Sequence, residues 1–232
     1  AGFDYRDPLS REQSLGNFLP SLNDGIKGLR IGLPKNFYLE NLHPEIEKAF
    51  ETAAKYLEVL GGELVEIEVP GAEEAQHWAT VCIFSDACAF HYDRLKQQPE
   101  KFSKGVFERM TTGFSYTNID YANAIRAREV WKQTLFKVFN SVDIILSPTL
   151  PTLVPPVEED KSLLQATKDA TRNTYAGALG QIPGLSIPCG FTSDGLPIGL
   201  QLEAAWWKDP LLLRAGYTYQ RETDWHLKTP KI

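Results

Sequence analysis

His91 stands between Asp86 and Asp93 in a stretch of helix-forming residues, an imidazole flanked by two carboxylates. A base oriented by an acid activates a hydroxyl or thiol nucleophile within hydrogen-bond reach. Without a serine nucleophile to activate, this group reads as a solvated helix face. No catalytic role is assigned to His43, His77, His91 or His226. Cys82, Cys88 and Cys189 form no CxxC pair and have no histidine at ligand spacing. They read as small buried apolar residues rather than a zinc site or a disulfide framework. Trp206 and Trp207 form an exposed-looking aromatic pair suited to a packing lid or a subunit contact. No metal and no cofactor are expected.

A chain of 232 residues that is 43% hydrophobic and 23% charged has the composition of a soluble globular protein. Five Trp, nine Tyr and twelve Phe supply enough apolar area for a core without metal or disulfide staples. A formal charge of −6, with basic residues scattered, argues against a surface built to neutralise phosphates, so no direct nucleic-acid partner is expected. No apolar run approaches the roughly 20 residues that cross a bilayer, so no membrane association is expected. Sparse cysteines and the absence of a signal pattern at the N-terminus point to the cytoplasm.

The elements that must position any site follow from periodicity. Residues 1–28 are punctuated by Pro8, Gly16, Pro20 and Gly25 and read as a connector, leaving 29–232 as the folded body. Leu29 to Pro34 is a short apolar run closed by proline, a buried strand. His43-Pro44 opens a helix whose apolar positions Ile46, Phe50, Ala53, Leu57 and Leu60 recur at helical spacing before Gly61-Gly62 stops it. Val65, Ile67 and Val69 alternate with Glu66 and Glu68, which predicts a half-wet strand and completes a β-α-β unit.

Residues 72–97 are mostly helix formers. Thr117 to Asp120 resembles a capping box ahead of a helix with Ala124, Trp131, Leu135 and Val138 on one face. A second buried strand is expected from Val142 to Leu146, followed by a stiff exposed loop at Pro155-Pro156 and Glu158 to Asp160. Runs from Pro183 to Gly190 and Ile198 to Leu202, joined by Ser193-Asp194-Gly195, signal a hairpin before a closing helix from Asp209. The order predicts an α/β domain with a mixed β-sheet and helices on both faces.

Four stretches in this order resemble the amidase-signature family: GLRIGLPKNFY at 28–38, DYANAIRAREVW at 120–131, DIILSPTLP at 143–151, and IPGLSIPCG with GLPIGLQL across 182–202. The resemblance implies an amidohydrolase that cleaves a carboxylic amide C–N bond through a serine nucleophile, a bridging cis serine and a lysine. It covers the C-terminal part of that domain. The segment carrying the triad is expected upstream of Ala1, since no Ser-Ser pair occurs here and the adjacent glycines Gly61-Gly62 sit at a helix stop. Further strands of the sheet are expected in that segment, which would be a partner of this body. No catalytic residue is assigned within the chain.

What the resemblance assigns here is a substrate wall. Thr174 matches a helix position lining the substrate channel, with Gly177 one turn further along. Arg109 matches a position that binds a substrate carboxylate in tRNA-dependent amidotransferase relatives, a task suited to a bidentate guanidinium. Phe84 and Leu150 are offered as apolar pocket walls. Where the family commonly carries Asn this chain has Ala178, and Thr171 stands where the amidotransferases place an acid, so a glutamyl substrate is disfavoured. A small-molecule amide is the expected substrate, and a homo-oligomer is possible. The alternatives are the amidase subunit of a tRNA-dependent amidotransferase and a non-catalytic interaction domain.

Overall fold

The computed structural model describes residues 2–13, 17–154 and 163–229. The loop expected at 155–160 lies outside them. Five strands form one mixed sheet in the order β2-β1-β3-β5-β4. These are β1 (Arg30–Pro34), β2 (Glu63–Ile67), β3 (Ile144–Pro148), β4 (Gly184–Phe191) and β5 (Pro197–Ala204). β1 pairs in parallel with both β2 and β3, whereas β5 runs antiparallel to β3 and to β4. The C-terminal ends of β1, β2, β3 and β4 therefore point the same way.

The expected β-α-β unit is present, with α1 (Pro44–Val59) crossing between β1 and β2. His43 caps α1 by accepting the Glu45 N–H on Nδ1 at 3.3 Å. Gly32 of β1 has no room for a side chain, because a Cβ there would lie 2.6 Å from Ile67 Cδ1. That close approach accounts for the glycine of GLRIGLP. Arg30 ties β1 to the entry of β3, its backbone N–H and guanidinium both donating to Asp143 at 2.9 Å.

Helices cover both faces. On one, α1 and α7 (Asp209–Arg221) enclose Ile31, Ile46, Leu57, Ile144, Leu146, Leu200, Leu202 and Tyr219. On the other, α2 (Ala72–Phe90), α5 (Asn118–Val138) and α6 (Leu163–Gly180) enclose Val69, Ala79, Trp131, Leu135, Ile145 and Leu179. The short helices α3 (Tyr92–Gln97) and α4 (Lys104–Thr111) follow α2. The capping box of α5 forms as expected, with Thr117 N–H donating to Asp120 Oδ2 at 2.8 Å and Asp120 N–H to Thr117 Oγ1 at 3.1 Å. Its buried residues are Ala124, Trp131, Leu135 and Val138, the face predicted.

Two expectations are corrected and one is refined. β3 begins at Ile144 rather than Val142, because the Val142 N–H closes the end of α5 on Val138 O and Asp143 is engaged by Arg30. Residues 72–97, read as mostly helix formers, are helical in two pieces divided at His91, which ends α2 and starts α3. The tryptophan pair is not a pair on the surface: Trp206 packs on the α2–α5–α6 core and donates its indole N–H to Gly180 O at 3.1 Å, leaving Trp207 53% exposed.

Candidate functional site

Strand ends of an α/β sheet are where sites are built, and here β3 ends in Pro148 and continues into Thr149 and Leu150. Thr149 Oγ1, just past the end of β3, and Ser186 Oγ, near the start of β4, lie 2.7 Å apart. Between them Gly199 of β5 leaves the gap in which they meet, since a Cβ there would stand 2.6 Å from Thr149 Oγ1. This is the physical role of the second glycine in GLPIGLQL.

Helix α6 lies over this end of the sheet and is fixed by side chains from several directions. Asn173, fully buried, donates its amide to Pro148 O at 2.8 Å and to Tyr38 O at 3.2 Å, so one side chain binds the end of β3 to the turn after β1. Gln201 of β5 donates to Asn173 O at 3.2 Å, and the Trp131 indole donates to Ala176 O at 2.8 Å. A Cβ at Gly177 would overlap Glu203 Oε1, and one at Gly180 would overlap Leu135 Cδ1, so α6 approaches both neighbours by its bare backbone. Glu203 is 3% exposed, and burial pushes its carboxyl up to about 8.

The five residues expected to form a substrate wall are distributed as follows. Thr174 is half-buried on α6 and donates its hydroxyl to Thr171 O at 2.9 Å. Gly177, one turn on, faces the sheet at Glu203. Phe84 is buried on α2, where its carbonyl lies against Gly113. Arg109 is half-buried on α4, which packs on α2, and its Nε has no hydrogen-bond partner among the described residues. These four belong to the helical layer on one face of the sheet. Leu150 lines a cavity of about 30 Å³ with Ile46 and Ile198, on the α1 face, and so stands apart from them.

None of the five lines the larger cavities found among the described residues. One, of about 680 Å³, lies between β4, α7 and residues 17–22; another, of about 520 Å³, runs between α2 and α5 beside Trp78. The carboxylate and imidazole group on α2 does not form a relay. Asp86 accepts a hydrogen bond from the Tyr121 hydroxyl at 2.8 Å, while the His91 ring packs on Phe90 and Phe102. All three cysteines are buried and their thiols pushed up by desolvation, in accord with a packing role.

The buried polar group beneath α6 was not anticipated from the sequence. Gly199, Gln201 and Glu203 share one face of β5, and alternation of this kind ordinarily marks a wet face. The available signal was an acid two residues after the glutamine of GLQL, in a strand expected as the second of a hairpin.

Comparison with known proteins places this arrangement. The model of the family described as Amidase matches residues 3–213. An amidase from Pseudomonas putida is 34% identical over 244 residues, covering 100% of this chain and 51% of that protein. A glutamyl-tRNA(Gln) amidotransferase subunit from Methanosarcina acetivorans is 32% identical, covering 99% of this chain and 53% of that protein. Among solved structures, one described as a vestigial protein complex revealing the evolutionary origins of an s-triazine catabolic enzyme superposes with a TM-score of 0.83 at 28% identity, covering 98% of this chain and 50% of the other. A crystal structure of an amidase superposes at 0.75 and 28% identity, over 85% of this chain and 46% of its own. The chain spans about half the length of the curated relatives it matches.

Proposed function

The chain belongs to the amidase family, and from that premise we propose that the protein carrying it hydrolyses a carboxylic amide, with this chain forming the back of the fold and part of the substrate wall. The observation that carries the reading is the family match over residues 3–213, which runs through every element bearing a candidate wall residue.

The reaction is acyl transfer to a serine. An unprotonated lysine draws a proton through a bridging serine from the nucleophile, whose oxygen attacks the amide carbonyl. The C–N bond breaks, the amine leaves with a proton, and water then releases the acid from the acyl-enzyme. Preorganised N–H donors at the developing oxyanion supply the largest single share of the acceleration. The triad is assigned outside residues 1–232, and Arg109, Thr174 and Phe84 are assigned to substrate choice, whereas Gly177 is taken up by its contact with Glu203 and Leu150 lies on the α1 face. Arg109, with a buried donor lacking a partner among the described residues, is suited to a carboxylate on the substrate. Thr174, having spent its proton on Thr171 O, offers lone pairs to a donor.

A second reading, the amidase subunit of a tRNA-dependent amidotransferase, is favoured by the likeness to the Methanosarcina protein. It requires partner subunits and a route for ammonia, and Thr171 and Ala178 count against it. A cytoplasmic location is part of the proposal in either case.

The test is an assay of the full-length protein on a panel of neutral and acidic carboxamides, following amine release. Hydrolysis with a burst of acyl-enzyme is expected, together with no turnover by residues 1–232 alone. Failure to cleave any amide, or turnover by 1–232 that a substitution within it abolishes, would overturn the reading.

A further inference from the structure

Glu203 sits on β5, a strand with neighbours on both sides: its register partners are Ile145 on β3 and Gly184 on β4. Glu203 is 3% exposed, and its carboxyl lies against α6 at Gly177, where even one methyl group would overlap Oε1. No Lys, Arg or His offsets it among the described residues. Gly177 on α6, the Gln201 amide on its own strand and the Tyr38 phenol in the turn after β1 act on it, with Ser147 opposite Gln201 on β3 and Asn173 one turn before Gly177 on α6. Burial raises the Glu203 carboxyl against the opposing hydrogen bond from Gln201, and the Tyr38 phenol is pushed up by its own burial and then by the Glu203 charge. The nearest cation on α6, Arg172, is directed elsewhere, over the Phe37 ring and to Glu40 O.

Among the described residues, four buried polar atoms of this region lack hydrogen-bond partners: Glu203 Oε2, Asn173 Oδ1, Ser147 Oγ and the Tyr38 hydroxyl. Ionised, Glu203 is an acceptor only, and it adds charge to a group already short of donors. Protonated, it gains an O–H donor in a neighbourhood where Asn173 Oδ1, one helical turn from Gly177, has none. An unpaired charge in such a site is far more costly than a neutral, hydrogen-bonded carboxyl.

We propose that Glu203, held neutral, is a positioning residue that seats α6 on the sheet, and that loss of its proton unseats the helix and with it the Thr174 face. The contact at Gly177 gives the mechanism its geometry. The helix rests on the carboxyl itself, so charging that carboxyl acts on α6 directly and on α5 only through it. The consequence for substrate handling rests on the reading of Thr174 as a wall residue, whereas the seating of α6 does not.

Amide hydrogen exchange of the full-length protein and its E203Q variant, corrected for intrinsic rates, tests this at pH 6.5 and 9.5. Glutamine keeps the shape and a donor but cannot ionise. In the wild type, protection of α6 over 173–180 is expected to fall roughly tenfold relative to α5 over 124–138 between the two pH values, tenfold corresponding to about one pH unit of coupled titration. In E203Q that relative fall is expected to vanish. An equal fall in E203Q, or no fall in the wild type, overturns the proposal. The pH profile of kcat/KM, read on the same two proteins, separates the readings. An alkaline loss removed by E203Q supports both; α6 opening without any change in hydrolysis upholds the seating role and rejects Thr174 as a wall.

Discussion

A buried guanidinium nitrogen left without a partner costs on the order of 1–3 kcal/mol, and a bound carboxylate would recover it. Arg109 is such a group, its buried Nε having no partner among the described residues. An interaction made equally in ground and transition states changes binding rather than the chemical step. Arg109→Ala in the full-length protein is therefore expected to raise KM for acidic amides by the equivalent of about 1.5–3 kcal/mol and to leave neutral amides nearly untouched. Thr174→Val, of similar shape without the hydroxyl, should shift preference between polar and apolar acyl groups by less. Paired kinetics on acidic and neutral amides decides both, and equal losses of kcat on every substrate would move these residues to catalysis or folding. Neither assignment came from spacing. Both came from family resemblance, because a lone arginine or threonine carries no periodic signature.

Among the elements, legibility follows the character of the buried face. Helix α5 was readable because its contact is a stripe of Ala124, Trp131, Leu135 and Val138 preceded by a capping box. Its cap is also a stability handle. Thr117→Ala is expected to cost about 1 kcal/mol, lowering the denaturation midpoint with the m-value unchanged. A changed m-value would instead indicate a disturbed core or denatured state. Helix α6 buries Tyr175, Ala176 and Leu179, but the ties that fix its seat run through Asn173, Gly177 and Gly180. Contacts made by backbone approach and buried amides leave no apolar period to find. The two-residue displacement of β3 has a similar origin, Val142 being apolar yet spent on ending a helix.

For the molecule as a whole, two carboxyls set opposite limits on pH. Asp143, hydrogen-bonded to Arg30, has its carboxyl below the ordinary range, so its contribution is present above the unfolded value and lost as acid protonates it. Glu203 is raised from 4.5 to about 8, so between those values the folded state holds a proton that the unfolded state has released. Stability is then expected to fall as pH rises through that window, by up to about 1.4 kcal/mol per pH unit, and to level off above it. Urea midpoints at pH 5 and pH 8 should show the decline in the wild type and a flatter profile in E203Q; identical slopes would refute it. At the same scale, β2 and β4 each pair on one side only among the described strands. Residues 1–232 in isolation are accordingly expected to bind a hydrophobic dye and to associate, whereas a monodisperse, dye-silent preparation would argue for a self-sufficient unit.

Read alone, the sequence determined what depends on neighbours along the chain: the β-α-β unit, the caps of α1 and α5, the hairpin of β4 and β5, and the ordered motifs that carry the family resemblance. Those features are short-range, and each leaves a period, a turn or a cap in consecutive residues. Only the tertiary structure decided that the polar face of β5 is buried, that Gly177 is a seat for Glu203, and that Leu150 lies on the opposite face from Thr174. Alternation along a strand shows that its two faces differ. Which of them is covered depends on where a helix more than twenty residues away in sequence comes to rest, and no local pattern encodes that.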